Sequence, residues 1–184
     1  MNLLFRMLRV FVTALFRSRI GLLDSSGLRF WVLPTDLDIN LHMNNARYLS
    51  FMDLGRTDLL LRAGMLQTMR RERWMPVVGR IDIMFRRPLL PFRRFSLKSR
   101  LLCWDEKWLY LEQLLESAAG VHAVATVRGL FLDRSGTAVP TQRLLDSLGY
   151  REDSPPMPAE VLRLISSKEP GAMNNESGGY RRIA

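Results

Sequence analysis

The sequence predicts an α+β fold in which one long helix is wrapped by an antiparallel sheet of about five strands. Three observations carry that prediction. A helical pattern of about twenty residues runs to Gly64, the apolar period then shifts from about 3.6 to about 2, and four alternating segments follow, divided by short turn signals. With 184 residues, 47% of them hydrophobic and 24% charged, the chain can bury one core without staples, with a little left for tails.

Residues 1–20 come first. Asn2, Arg6, Arg9, Thr13 and Arg17 fall in one stripe of a helix, and Leu3, Leu4, Met7, Leu8, Val10, Phe11, Ala14 and Leu15 fill the rest. A wide apolar surface with a cationic stripe suits an anionic bilayer surface, arginines at the headgroups. The same helix can instead pack on its own domain or on a dimer partner. A secretory signal is a third reading, although no small-x-small cleavage site follows the apolar run. No stretch of about 18 apolar residues exists, so no spanning helix is predicted.

Residues 28–34 read as a strand closed by Pro34, and residues 35–45 as a polar loop. In the helix that follows, Tyr48, Leu49, Met52, Leu59, Leu60 and Ala63 form the apolar side, with Asp58 and Arg62 paired opposite. The alternating segments 77–85, 95–104, 108–115 and 121–132 are expected to pair as an antiparallel meander, with 28–34 as a fifth strand. Beyond them, 141–148 reads as a short helix with Thr141 as its N-cap and Gly149 as its stop. Segment 153–158 is Pro-rich and expected to be extended, and 158–165 is a second short helix. Residues 167–184 are polar and expected to be disordered. The expected organisation is thus a basic N-terminal helix (1–20), one domain (21–150) and a C-terminal extension with a short helix and tail (151–184).

The net charge is +9, and Arg6, Arg9, Arg17 and Arg19 supply four of those charges in a stretch without acids. Nucleic acid, an anionic membrane or an anionic ligand would each match such a balance. Aromatic residues are not interleaved with a basic stripe and no nucleic-acid motif is present, so no nucleic-acid partner is expected. The single Cys103 excludes an intrachain disulfide, and with only His42 and His122 beside it no Cys/His metal site is expected. Cys103 is read as buried core, and His122 as partly exposed on a sheet face.

The loop 35–45, TDLDINLHMNN, is the densest cluster of reactive side chains. It leads into the long helix, whose start offers unpaired N–H groups and the positive dipole end. Such a start can hold an oxyanion while an upstream carboxylate attacks a carbonyl or activates a water. Residue types therefore point to acyl transfer or hydrolysis. They equally allow a plain capped turn, with Asn44 or Asn45 as the cap and Asp36 and Asp38 in turn hydrogen bonds.

The string Asp36-Leu37-Asp38-Ile39-Asn40-Leu41-His42-Met43-Asn44-Asn45 resembles the D-L-D-x-N-x-H-x-N-N motif of plant acyl-carrier-protein thioesterases. The stretch from Tyr48 to Asp58 is similar to the helix of acyl-CoA thioesterases of the 4-hydroxybenzoyl-CoA type. Residues 41–49, 100–105, 110–112 and 155–159 are most similar to the group called thioesterase superfamily member six, so the likeness covers roughly 28–168. The resemblance implies the hotdog fold and a thioester hydrolase that releases free acid and CoA. The His…Pro-Gly…Glu pattern of hotdog dehydratases is missing.

By that resemblance Asp38 is nucleophile or general base, with Asn40 and His42 in the catalytic set. Backbone N–H groups at Asn44 and Asn45 face the thioester oxygen. Tyr48 and Met52 line the acyl pocket. Asp53 is a second acid or the partner of Arg56, with the pairing favoured. The arginines at 86–87 and 93–94, with Arg70-Arg71 weighed beside them, are candidates for the CoA phosphates, since guanidinium suits phosphate oxygens. No cofactor is expected beyond CoA as part of the substrate. The implied partners are acyl-CoA or an acyl-carrier protein and a second copy, as homodimer or tetramer. The implied location is cytoplasmic, peripheral on the inner face of the membrane through residues 1–20. The competing expectation is a non-catalytic, membrane-associated acyl or lipid binder.

Overall fold

Alternating side chains on five strands turn one sheet face onto a single long helix, and that contact makes the core. The structure is a computed structural model and describes residues 3–167. In chain order the elements are α1 (Leu3–Phe16), β1 (Ser26–Trp31), a 3-10 turn (Pro34–Asp36), α2 (Asn45–Arg62), α3 (Met65–Glu72), β2 (Met75–Phe85), β3 (Arg94–Trp104), β4 (Leu109–Ser117), β5 (Gly120–Leu132), α4 (Thr141–Ser147) and α5 (Ala159–Ser166). Asn2 of the predicted polar stripe and the tail beyond Ser167, expected to be disordered, lie outside the described residues.

The sheet order is β1-β3-β4-β5-β2, all neighbours antiparallel. This is the hotdog arrangement, with α2 as the wrapped helix. The four-strand meander needs correcting. Only β3, β4 and β5 form one; β2 pairs with β5 on the far edge, and β1 lies beside β3. The reason lies in residues 86–93. Pro88, Pro91 and a left-handed Phe92 (φ 59°) do not make a tight hairpin turn. Leu89 is instead driven into the core, where its C=O accepts the Met43 N–H at 2.8 Å and its N–H donates to the Tyr48 hydroxyl at 3.2 Å.

The 18 residues of α2 make a rod of about 27 Å. Its buried side is Tyr48, Phe51, Met52, Leu54, Gly55, Asp58 and Leu59. That arc is wider than the predicted stripe because α2 is covered twice, by the sheet and by α1. At Gly55 the sheet comes close: an added Cβ would sit 2.5 Å from Ser99 Oγ and 2.7 Å from Leu97 Cδ2. Asp58, expected on the solvent side with Arg62, is fully buried beneath α1. It accepts from Ser26 Oγ and from Arg17 Nη1 at 3.0 Å, with Arg62 at 3.8 Å. The short α3 was not predicted; it is an eight-residue, charge-rich turn set off by left-handed Gly64 (φ 79°).

The docking of α1 reverses the expected use of its two sides. Leu3, Arg6, Met7, Val10 and Ala14 face the domain, and Val10 and Ala14 are buried there. Arg6, only 3% exposed, donates two hydrogen bonds to the Asp36 carboxylate at 2.9 and 2.7 Å, and its guanidinium lies 4.5 Å from the Phe51 ring centroid. Much of the apolar remainder faces outward. Two buried carboxylates, Asp36 and Asp58, thus select the arginine side.

At the C-terminus, Thr141 is the first residue of α4 rather than its cap, which is Pro140. Thr141 donates its N–H to Glu106 O at 2.9 Å, and Gly149 (φ 72°) follows the helix end as expected. α5 lies on the outer sheet face, where Val161 and Leu164 pack on Cys103 and Tyr110. Cys103 is therefore core, and burial pushes its thiol up to about 11, with Asp105 and Glu160 adding to the effect.

Candidate active site

The site begins at Asp36. Its side chain also accepts the Leu33 N–H at 3.0 Å, and its backbone C=O accepts the Asn44 N–H at 2.9 Å. The bridge between Leu37 and Met43 closes the loop above it. Within the loop, Asp38 N–H donates to His42 O at 3.0 Å and Leu41 N–H donates to Asp38 O at 3.1 Å. Leu41 holds a left-handed backbone (φ 57°) to complete the turn, an unusual state for a leucine. Asp38 and His42 are brought together across this turn, Oδ1 to Nδ1, at 3.7 Å. Both are partly exposed, so a substrate or water can reach them.

Asn40 contributes its backbone: its N–H donates to Asp38 Oδ1 at 2.9 Å, while its side chain is exposed. Asn44 is the N-cap of α2, its Oδ1 accepting the Ala46 N–H at 2.9 Å. The expectation that the Asn44 N–H faces the thioester oxygen is corrected, because Asp36 already takes it. Among the described residues the Asn45 N–H has no partner, which leaves it as the free donor at the helix start.

Tyr48 is buried beside this turn, edge-on to Phe85 with ring centroids 5.1 Å apart. Burial pushes its hydroxyl up, and the Leu89 N–H opposes part of that. His42, Asn45, Tyr48, Phe85, Arg86 and Arg87 line one shallow depression. Met52, expected in the acyl pocket, is instead fully buried in the core. The apolar cavity lies elsewhere on α2: Asp53, Arg56 and Thr57 stand over Leu60, Val77, Leu111 and Val127. Asp53 pairs with Arg56 at 2.6 Å, and Arg56 also donates to Gln113 Oε1 at 2.7 Å.

The arginine candidates separate. Arg86 and Arg87 border the depression, whereas Arg94 stacks over Trp31, 5.5 Å from its centroid, beside Arg93 on the opposite sheet edge. Arg70 and Arg71 lie on α3, and Arg71 pairs with Glu72 at 2.9 Å. His122 is buried rather than partly exposed. Its Nε2 meets Ser117 Oγ at 2.7 Å and its Nδ1 lies 3.3 Å from Arg87 O, so it supports the turn carrying Arg86 and Arg87. Sequence reasoning missed three supports: Leu89, Arg47 (3.7 Å from Asp36) and Gln113. The only sequence signal for Leu89 is an apolar pair flanked by Pro88 and Pro91. Among the described residues no three His, Cys, Asp or Glu side chains converge on a metal position.

The family model of the thioesterase-like superfamily matches residues 32–165, from the end of β1 through α5. The chain belongs to that superfamily. As a member it is a thioester hydrolase. Protein THEM6 of Xenopus laevis is 34% identical to this superfamily member over 152 residues, covering 80% of this chain and 71% of that protein. Among solved structures, the YbaW probable thioesterase from Escherichia coli is 28% identical with a TM-score of 0.62, over 66% of this chain and 95% of that one. The protein SAV2348 from Staphylococcus aureus, solved in complex with CoA, shares the fold with a TM-score of 0.61 at 15% identity, over 79% of this chain and 96% of its own.

Proposed function

We propose that this superfamily member hydrolyses acyl-CoA, with Asp38 as nucleophile or general base and the Asn45 N–H polarising the thioester carbonyl. The carrying observation is the half-buried Asp38 carboxylate, held 3.7 Å from His42 immediately ahead of the α2 N-terminus. As general base, Asp38 takes a proton from water, whose oxygen bonds to the carbonyl carbon. The oxyanion then collapses, the C–S bond breaks and the CoA thiolate takes the proton. As nucleophile, Asp38 displaces the thiolate to form a mixed anhydride that water cleaves. The positive end of α2 and its free N–H favour the oxyanion in both routes. Arg86 and Arg87 are the proposed contacts for CoA phosphates, being the pair that borders the depression beside His42.

The working unit in this reading is a homodimer. β2 is an eleven-residue edge strand with exposed Val78, Met84 and Phe85, an edge that proteins seldom leave open. Antiparallel pairing of two β2 edges sets the Phe85 end of one copy beside the Met75 end of the other. The depression lined by His42 and Tyr48 then adjoins the partner's apolar cavity, and Tyr48 and that cavity together receive the acyl chain. A cytoplasmic, membrane-peripheral location belongs to the same reading.

The test is thiol release from acyl-CoAs of graded length, wild type beside Asp38→Asn. Loss of about 10²–10⁴-fold in rate with an unchanged melting temperature is expected. Unchanged rates would remove Asp38 from the chemistry, and tight acyl-CoA binding without any turnover would make the protein a binder instead.

A further inference from the structure

We propose that α1 is a peripheral membrane anchor docked to its own domain through its arginines, with its outward apolar face inserted into an anionic bilayer so that the Asp38 loop sits at the lipid surface. This deepens the location given above and rests on the thioesterase reading only for what the anchor delivers.

The outward face carries Leu4, Phe5, Leu8, Phe11, Leu15 and Phe16, all exposed, Phe16 by 87%. They recur at helical spacing opposite the buried Arg6, Val10 and Ala14. A run of large apolar side chains along one helix is more than a soluble surface ordinarily leaves uncovered. At 14 residues α1 is about 21 Å long, too short for the roughly 30 Å hydrocarbon core, so it lies in the interface and does not cross it. Among the described residues no helix is long and apolar enough to cross.

Charge selects a membrane over a second copy. No acid occurs before Asp24, and Arg9, whose guanidinium lies 5.7 Å from the Phe30 ring centroid, and Arg19, three residues past the end of α1, are exposed. Two copies meeting face to face would oppose these cations, whereas anionic headgroups pair with them. Arg6 and Arg17 are committed inward to Asp36 and Asp58, so insertion needs neither to leave its partner.

The seat also fixes what reaches the lipid. Arg6 grips Asp36, two residues before Asp38. Just beyond, Ile39 is 96% exposed and Leu41 is also exposed. The Arg6–Asp36 pair thus ties the anchored helix to the turn that bears these exposed apolar tips, and the proposal sets both at the surface where long acyl chains are found.

The experiment is cosedimentation of the full chain with vesicles of phosphatidylcholine alone and of phosphatidylcholine with phosphatidylglycerol. Wild type is compared with Leu8→Gln/Phe11→Gln/Leu15→Gln and with Arg9→Gln/Arg19→Gln. Wild type is expected to bind, more tightly with phosphatidylglycerol. The triple variant should lose at least about tenfold in partition for its exposed apolar groups, with melting temperature and release from a short, water-soluble acyl-CoA unchanged. The arginine variant should lose the preference for phosphatidylglycerol. Failure of wild type to bind either vesicle overturns the proposal, as does equal binding by the triple variant. Concentration-dependent self-association that the triple variant abolishes, without vesicle binding, would assign the face to a second copy. Absence of turnover by a protein that still binds would sink the thioesterase reading and leave the anchor standing.

Discussion

Replacing Arg6 by alanine tests the seat of α1 and the footing of the catalytic loop together. The side chains of Arg6 and Asp36 are 3% and 1% exposed, with two hydrogen bonds at 2.9 and 2.7 Å. Removing one member of a buried pair costs about 3–5 kcal/mol, mostly by stranding the other charge. Asp36 keeps the Leu33 N–H and a distant Arg47 at 3.7 Å, which puts Arg6→Ala near the lower end, at about 3 kcal/mol. For a domain of this size that is a fall of about 6–12 °C in melting temperature. The assay is urea and thermal unfolding followed by circular dichroism, with Arg6→Met/Asp36→Asn as the charge-free control. That double variant keeps an acceptor for Leu33 and should recover most of the loss. A penalty below about 1 kcal/mol, the range of an exposed ion pair, would refute a buried Arg6.

Other changes have equally definite outcomes. Gly55→Ala drives a Cβ to 2.5 Å from Ser99 Oγ, so urea unfolding should show a loss of about 1–3 kcal/mol despite the better helix propensity of alanine. Asn44→Ala removes the acceptor of the Ala46 N–H and should lower stability by about 1 kcal/mol; no change in urea midpoint would exclude the cap. With its thiol pushed up to about 11, native Cys103 is about one part in a thousand thiolate at pH 8. Ellman's reagent should therefore react only after denaturation, and rapid native labelling would contradict the burial. The unfolded thiol ionises near its ordinary value of 9.0, below the folded one. The group's contribution to stability is thus intact below about pH 9 and lost as pH rises toward 11.

Periodicity made the large elements legible. The change of period after Gly64 located β2 through β5 to within two residues at each end, because alternate residues such as Leu97, Leu115, Ala123 and Ala125 enter the core, with Ile81 and Ile83 packed against it. Which strands neighbour which was not legible. Pairing of β2 with β5 depends on Leu89 entering the core between two prolines, a tertiary event without a local pattern. The loop 35–45 announced itself by composition, but the division of labour inside it did not. Asp36 and Asp38 are alike in sequence, and only burial separates the one holding Arg6 and Leu33 from the one open to solvent. Likewise Met52 and Tyr48 share a helix side, yet Tyr48 borders the depression beside His42 while Met52 packs wholly in the core.

The amphipathic pattern of α1 carried the deepest ambiguity, since a helical wheel defines two sides but not which of them faces in. Apolar burial alone would turn Leu8, Phe11 and Leu15 toward the core. The domain instead presents two carboxylates with almost no solvent access, Asp36 and Asp58, that need cations. Stranding both carboxylates costs about 3–5 kcal/mol each, at least as much as exposing Leu8, Phe11 and Leu15 at about 1.5–3 kcal/mol each. Arg6, on α1, and Arg17, just past its end with its N–H still bonded to Thr13 O, satisfy the two carboxylates 11 residues apart, about three turns and so on one side. The orientation of α1 is thus decided by acids on other segments. The same acids join the helix to the turn that holds Asp38. A perturbation of α1 must then reach the site through Asp36, whose C=O also holds the Asn44 N–H at the start of α2.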